Sequence, residues 1–186
     1  MTFYWCGDII ITVMKLNKDK ELAVFHCPRW EELPEMDLYM DQVVTLLNGY
    51  LKPFCVPEQG KPITSTMINN YVKHGIVSAP KKKRYTREHM AYLIVVFILK
   101  TVFTLDEISN LLRAQMKEYP QDQAYNYFCV ELESSLRCIY AHRHVRHIPS
   151  DNEGSVLVDL IRSTIQGVAY SIYVRDLLKD VADQGK

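Results

Sequence analysis

Lys81, Lys82, Lys83 and Arg84 stand in a row, closed by Tyr85 and Thr86. Adjacent cations neutralise a polyanion, and a phosphate backbone is the natural partner for such a run. Just upstream, residues 64–75 read TSTMINNYVKHG. At helical spacing Ser65, Asn69 and Lys73 share one face, flanked by Thr66 and Asn70, while Ile68, Tyr71 and Val72 lie on the other. Hydroxyls, amides and a cation are the side chains that meet base edges and phosphates in a major groove. A merely solvated helix more often pairs glutamate with lysine at i, i+4, and this face has no acid. The candidate base-reading residues are therefore Ser65, Thr66, Asn69, Asn70 and Lys73. The candidate phosphate contacts are Lys81, Lys82, Lys83, Arg84, Tyr85 and Arg87.

The charge distribution agrees. From Lys61 to Met90 the chain carries seven cations and one acid, Glu88, so this stretch is +6; because the 186-residue chain is neutral overall, the remainder is −6. A pI near 7.0 names no partner, but separation of charge along the sequence describes a phosphate-facing edge on an acidic body.

Other constellations lead elsewhere. Cys138, His142, His144 and His147 fall within ten residues, but the two pairs point in different directions around a helix, so the segment reads as a basic helix end and no metal site is expected. Cys129 and Cys138 read as small core residues. There is no G-x-S-x-G, no H-E-x-x-H and no glycine-rich phosphate loop, and neighbouring acids such as Glu31 and Glu32 are explained as exposed faces. No enzyme and no cofactor are expected. Five widely spaced cysteines, an odd number without a C-x-x-C pair, indicate a reducing cytosol and a cytoplasmic protein. The first residues lack a basic leader and a cleavage site, so no signal peptide is expected. The longest apolar run, MAYLIVVFIL at 90–99, is about half of a membrane span; it reads as a buried helix, and no membrane partner is expected.

These residues need elements to hold them. Residues 1–13 are apolar and lead to no recognisable element. Asn17 is placed to cap a short helix, with a hairpin as the competing reading. Leu38, Val43, Leu46, Leu47 and Leu51 recur near helical period, and the proline-rich KPFCVPEQGKP that follows is a loop. Thr64 or Ser65 caps the polar-faced helix, and Gly75 ends it in the left-handed conformation. Thr86 opens the next helix. Thr104 and Glu107 form a capping box. Two long helices follow, over 121–144 and 154–181, and the second is apolar over an arc too wide for one neighbour. The expected organisation is an extension (1–33), a DNA-binding region (34–118) and a helical dimerisation or regulatory region (119–186).

A polar-faced helix, a glycine turn, a basic loop and a buried helix occur in the order of a helix-turn-helix reader followed by a wing. From 64 to about 112 the chain resembles the MerR-type winged-helix regulators, through Tyr71, Lys73, Gly75, Pro80, Tyr85, Thr86 and the FTLDEI helix start. Asn69 stands where those readers commonly carry arginine, and Lys83 where the wing arginine would be. With CPRWEELPEMDLYMDQV upstream, the whole chain resembles a bacterial family of uncharacterised MerR-like proteins classed as a domain of unknown function. The resemblance implies a mainly α fold, a MerR-like winged helix-turn-helix followed by a carboxy-terminal helical bundle. It implies a homodimeric, sequence-specific regulator that binds double-stranded DNA. A protein-interaction module, or a sensor of an unknown small-molecule effector or metal acting through the helical half, is the alternative.

Overall fold

A computed structural model of the chain describes residues 22–54, 62–142 and 155–184. Residues 1–13, including Cys6, then Asn17 through Glu21, Cys55, Lys61, His144 and His147 lie outside the described residues. Six α-helices lie within them: α1 (Met40–Tyr50), α2 (Ser65–Lys73), α3 (Arg87–Leu99), α4 (Leu105–Glu118), α5 (Gln121–His142) and α6 (Val156–Gln184). Short 3-10 turns occupy Trp30–Glu32 and Lys52–Phe54. The fold is mainly α. Among the described residues the only β pairing is two isolated antiparallel bridges, Leu38 with Tyr85 and Lys81 with Arg84.

The centre of the molecule is α3. Nine of its 13 residues are buried. A helix apolar on every side has no solvent face, so it must be covered all round, and α1, α5 and α6 pack against it. The apolar run at 90–99 is this helix. One continuous hydrophobic cluster extends from Leu22 to Ile172, so the three regions expected from sequence share a core.

The helix ends follow local chemistry. Thr104 caps α4 reciprocally with Glu107: its backbone N–H donates to Oε2 of Glu107 at 2.8 Å, and the Glu107 N–H returns to Thr104 Oγ1 at 3.3 Å. These bonds hold the exposed Glu107 carboxyl below its ordinary value. The long helices α5 and α6 run side by side in the same direction, since Glu131 faces Arg162 at 3.9 Å and Tyr140 donates to Asp176 at 2.6 Å.

The segment before α1 is strapped to α5. Arg29 donates to both carboxylate oxygens of Glu133, each at 2.7 Å, and the Cys27 N–H donates to the same group at 2.8 Å. The Tyr125 hydroxyl donates to the Pro28 carbonyl at 2.7 Å, and the Cys129 thiol points at the same oxygen. Cys27 and Cys129 are fully buried, which fits the reading of Cys129 as a small core residue.

Candidate nucleic-acid interface

The polar face of α2 is presented by packing on its other side. Ile68 and Tyr71 are buried, and the Tyr71 ring meets Phe97 of α3 edge-on at 5.1 Å between centroids. Ser65, Thr66, Asn69, Asn70 and Lys73 are all exposed. Both ends of α2 are fixed. At its start, Thr64 Oγ1 accepts from the Met67 N–H at 3.4 Å. At its end, Gly75 takes φ +68°, and its N–H and that of Ile76 return to the carbonyls of Val72 and Tyr71 at 3.0 and 3.1 Å. This is the Schellman closure, and a side chain at Gly75 would strain it.

Asn48 adds a control that sequence reasoning missed. From α1 its amide donates to the Ile63 carbonyl at 3.0 Å and accepts from the Ile63 N–H at 2.8 Å. The side chain thus mimics a strand partner and fixes the residue that leads into α2. An asparagine inside an amphipathic helix gives no sequence signal of a partner 15 residues away.

The basic run forms a two-residue turn. The Arg84 N–H donates to the Lys81 carbonyl at 2.9 Å, and the central residues Lys82 and Lys83 have φ +49° and +62°. Two positive φ values define the mirror-image type I turn, which favours Asn-Gly because β-carbons are strained there. Lysines in both positions cost on the order of 1 kcal/mol each. The turn leaves Lys81, Lys82 and Lys83 exposed at the surface.

The base of the turn holds it in that shape. The Tyr85 N–H and carbonyl both pair with Leu38, at 2.8 Å each. The Arg84 guanidinium lies 3.6 Å above the Tyr39 ring and donates to the Asp37 carbonyl at 3.3 Å. Tyr85 corrects one sequence expectation: at 3% exposure its ring belongs to the core, edge-on to His89, so it positions the turn and does not present itself to phosphate. Arg87 is half-buried and already meets Glu35 at 3.2 Å. With Lys81 and Thr86 it lines a polar recess of about 560 Å³ that also includes Glu35 and Glu88.

His89 is the second residue that sequence reasoning missed. It is buried in the first turn of α3. The Thr86 N–H donates to its Nδ1 at 3.0 Å, so the hydrogen resides on Nε2, which faces Ser78 Oγ at 3.1 Å. The ring therefore ties both flanks of the basic turn to α3. Burial holds the imidazole below its ordinary value, and protonation would set N–H against N–H at Thr86. The unfolded chain takes up this proton near pH ~6.5 and the folded chain only at lower pH. Stability from the neutral ring is complete above about pH 6.5 and is lost as the pH falls from there toward the folded value. Urea midpoints followed from about pH 7.5 to 5 should fall for the wild type and flatten in His89→Gln.

A family described as a domain of unknown function, DUF1836, matches residues 28–128. The chain belongs to that family. The DUF1836 match takes in α1 to α4, the basic turn and the start of α5, while α6 lies beyond it. No curated protein and no solved structure matches the chain.

Proposed function

We propose that this DUF1836 protein is a homodimeric, sequence-specific regulator that binds double-stranded DNA in the manner of a MerR-like winged helix. In this reading α2 enters the major groove and the basic turn lies on phosphates. The observation that carries it is the joint exposure of an acid-free hydrogen-bonding face and a strained cationic turn, both anchored on α3. Their anchors, Phe97 and His89, are eight residues apart. That is about 12 Å along a helix, close to the ~12 Å width of the major groove. Asn69 and Asn70 suit adenine edges; Lys81, Lys82 and Lys83 suit phosphates, with Arg84 and Arg87 behind them.

The dimer is supported by α6. Its exposed positions step by three or four residues through Val156, Leu160, Ser163, Gly167, Tyr170 and Val174, and on to Leu178 and Val181. Val156 is 83% and Leu178 62% exposed. The order is self-complementary about Gly167. In an antiparallel pair Leu160 meets Val174, Val156 meets Leu178, and small Ser163 leaves room for Tyr170. A mid-helix glycine costs about 1 kcal/mol against alanine, yet a β-carbon at Gly167 would touch nothing within 4 Å. Nothing within one copy requires it, whereas a closely approaching second helix does. A groove of about 340 Å³ between α4 and α6, lined by Phe103, Leu111, Leu160 and Thr164, continues the same surface.

The reading requires no cofactor and no chemical step, and it places the protein in the cytoplasm. Among the described residues no helix is long and apolar enough to cross a membrane. Selection of bound fragments from random duplex DNA by the full chain tests it. A two-fold symmetric motif with half-sites about one helical turn apart is expected, and Asn69→Ala should blur that motif without abolishing binding. Recovery of unselected sequence, or of none, would favour a basic edge that docks an acidic protein.

A further inference from the structure

Where the strap before α1 crosses α5, it brings two thiols together. Cys27 and Pro28 lie over one stripe of α5, formed by Tyr125, Cys129 and Glu133 at i, i+4 and i+8. The Cys27 N–H donates to Glu133 at 2.8 Å, while Tyr125 Oη and Cys129 Sγ both point at the Pro28 carbonyl, at 2.7 and 3.7 Å. This path sets Cys27 beside Cys129, and the two thiols hydrogen-bond each other. Both are fully buried. Arg29 closes the site from the strap. Its guanidinium donates to the Cys27 carbonyl at 2.7 Å and is held there by Glu133.

We propose that Cys27 and Cys129 are a redox pair, oxidised by hydrogen peroxide to a disulfide that locks the strap onto α5. Cys129 is the attacking sulfur. The bond from the Cys27 thiol, the Tyr125 hydroxyl and the Arg29 guanidinium together hold Cys129 below the ordinary thiol value. The same thiol–thiol bond, with burial, pushes Cys27 up. The thiolate is the nucleophile. Its sulfur attacks one peroxide oxygen: the S–O bond forms, the O–O bond breaks, and the departing hydroxide takes up the proton that Cys129 released. Cys129 is then a sulfenic acid. The Cys27 sulfur attacks it: the S–S bond forms, the S–O bond breaks, and hydroxide leaves with the Cys27 proton. Two thiols and one peroxide give one disulfide and two waters, and the sulfurs lose the two electrons that the peroxide gains. Burial keeps bulky oxidants away, whereas hydrogen peroxide is small and neutral and enters when the strap opens locally. In a reducing compartment such a bond is transient and senses oxidant. It closes a loop of about 100 residues, long enough to restrict the unfolded chain strongly.

The test uses the full chain and no DNA. The chain is reduced with dithiothreitol, desalted and treated with hydrogen peroxide at neutral pH. It is then unfolded, its remaining thiols are alkylated, and it is digested without reduction for mass spectrometry. The expected result is a linked peptide pair that joins Cys27 to Cys129, lighter by two hydrogen atoms and split again by dithiothreitol. The oxidised chain should melt about 5–15 °C above the reduced one. In Cys27→Ala the sulfenic acid has no partner, so dimedone should label Cys129 after peroxide. In Cys129→Ala, Cys27 should remain a free thiol. Should either variant fail to fold, the wild-type peptide map decides alone. Recovery of Cys27 and Cys129 as alkylated thiols after peroxide would overturn the proposal, as would linkage of either to Cys6, Cys55 or Cys138. A linked chain with an unchanged or lower Tm would overturn the lock, and dimedone on Cys27 in Cys129→Ala would overturn the choice of attacking sulfur.

Discussion

Leu160→Glu should convert the protein from dimer to monomer. The side chain is about half exposed in one copy, at 47%, so the subunit fold survives the change. In the proposed antiparallel pair it would face Val174 twice, once on each side of the two-fold axis. About half of each leucine is left for the second copy to bury, which is about 0.7–1.5 kcal/mol, and the dimer loses two, on the order of 1.5–3 kcal/mol together. Dimerisation should therefore weaken by roughly 10–10²-fold, visible by analytical ultracentrifugation at micromolar concentration. Gly167→Leu should have a similar effect for a steric reason, since the position is exposed and a β-carbon there meets nothing within 4 Å in one copy. Gly167→Ala separates the contributions: it stabilises the isolated helix and weakens the close crossing. An unchanged dimer in both Leu160→Glu and Gly167→Leu would remove α6 as the interface.

The second large effect concerns the strap between the chain start and α5. Glu133→Ala should destabilise the protein by about 2–3 kcal/mol. Breaking a buried ion pair by removing one partner costs about 3–5 kcal/mol, and the 25% exposure of the Arg29 side chain reduces this. At roughly 2–4 °C per kcal/mol for a domain of this size, the Tm should fall by about 5–10 °C. The loss has two sources: Arg29 keeps a charge without its counter-ion, and the Cys27 N–H loses its acceptor. Arg29→Met combined with Glu133→Leu should cost less than Glu133→Ala alone, because no unpaired charge remains. Burial alone would raise the Glu133 carboxyl, but Arg29 and the Cys27 N–H outweigh it and hold the group below its usual range. The stability it contributes is therefore complete above about pH 4.3 and is lost as the pH falls through the lower folded value. A Glu133→Ala protein within about 0.5 kcal/mol of the wild type would contradict this account.

Much of the scaffold was legible because short-range chemistry decides it. Thr104 and Glu107 announce a helix start, Gly75 announces a stop, and an all-apolar decamer has to be interior. The two faces of α2 were readable from spacing alone, since Ile68 and Tyr71 segregate from Ser65, Asn69 and Lys73. The wide apolar arc expected for the last helix is seen in α6, buried through Ile165 and Val168 and exposed through Leu160 and Val174. Partnerships across distance were not legible. Asn48 reaches over the proline loop to Ile63, Arg29 reaches Glu133 over 104 residues, and no local pattern encodes either. Tyr85 was misassigned for a related reason: it sits next to cations in sequence, but strand-like alternation turns it inward while Arg84 remains at the surface.

The central claim is that the cationic turn meets a phosphate backbone, and its most direct measurement is the salt dependence of duplex binding. Lys82→Asn combined with Lys83→Gly is the informative variant, because it relaxes the two left-handed residues and should raise stability while removing two charges. For the full chain, log K against log salt should be linear and steep, and this variant should flatten the slope by about 1.8 per copy at unchanged or higher Tm. An identical slope in a well-folded variant, or no salt-dependent duplex binding by the wild type, would contradict the account.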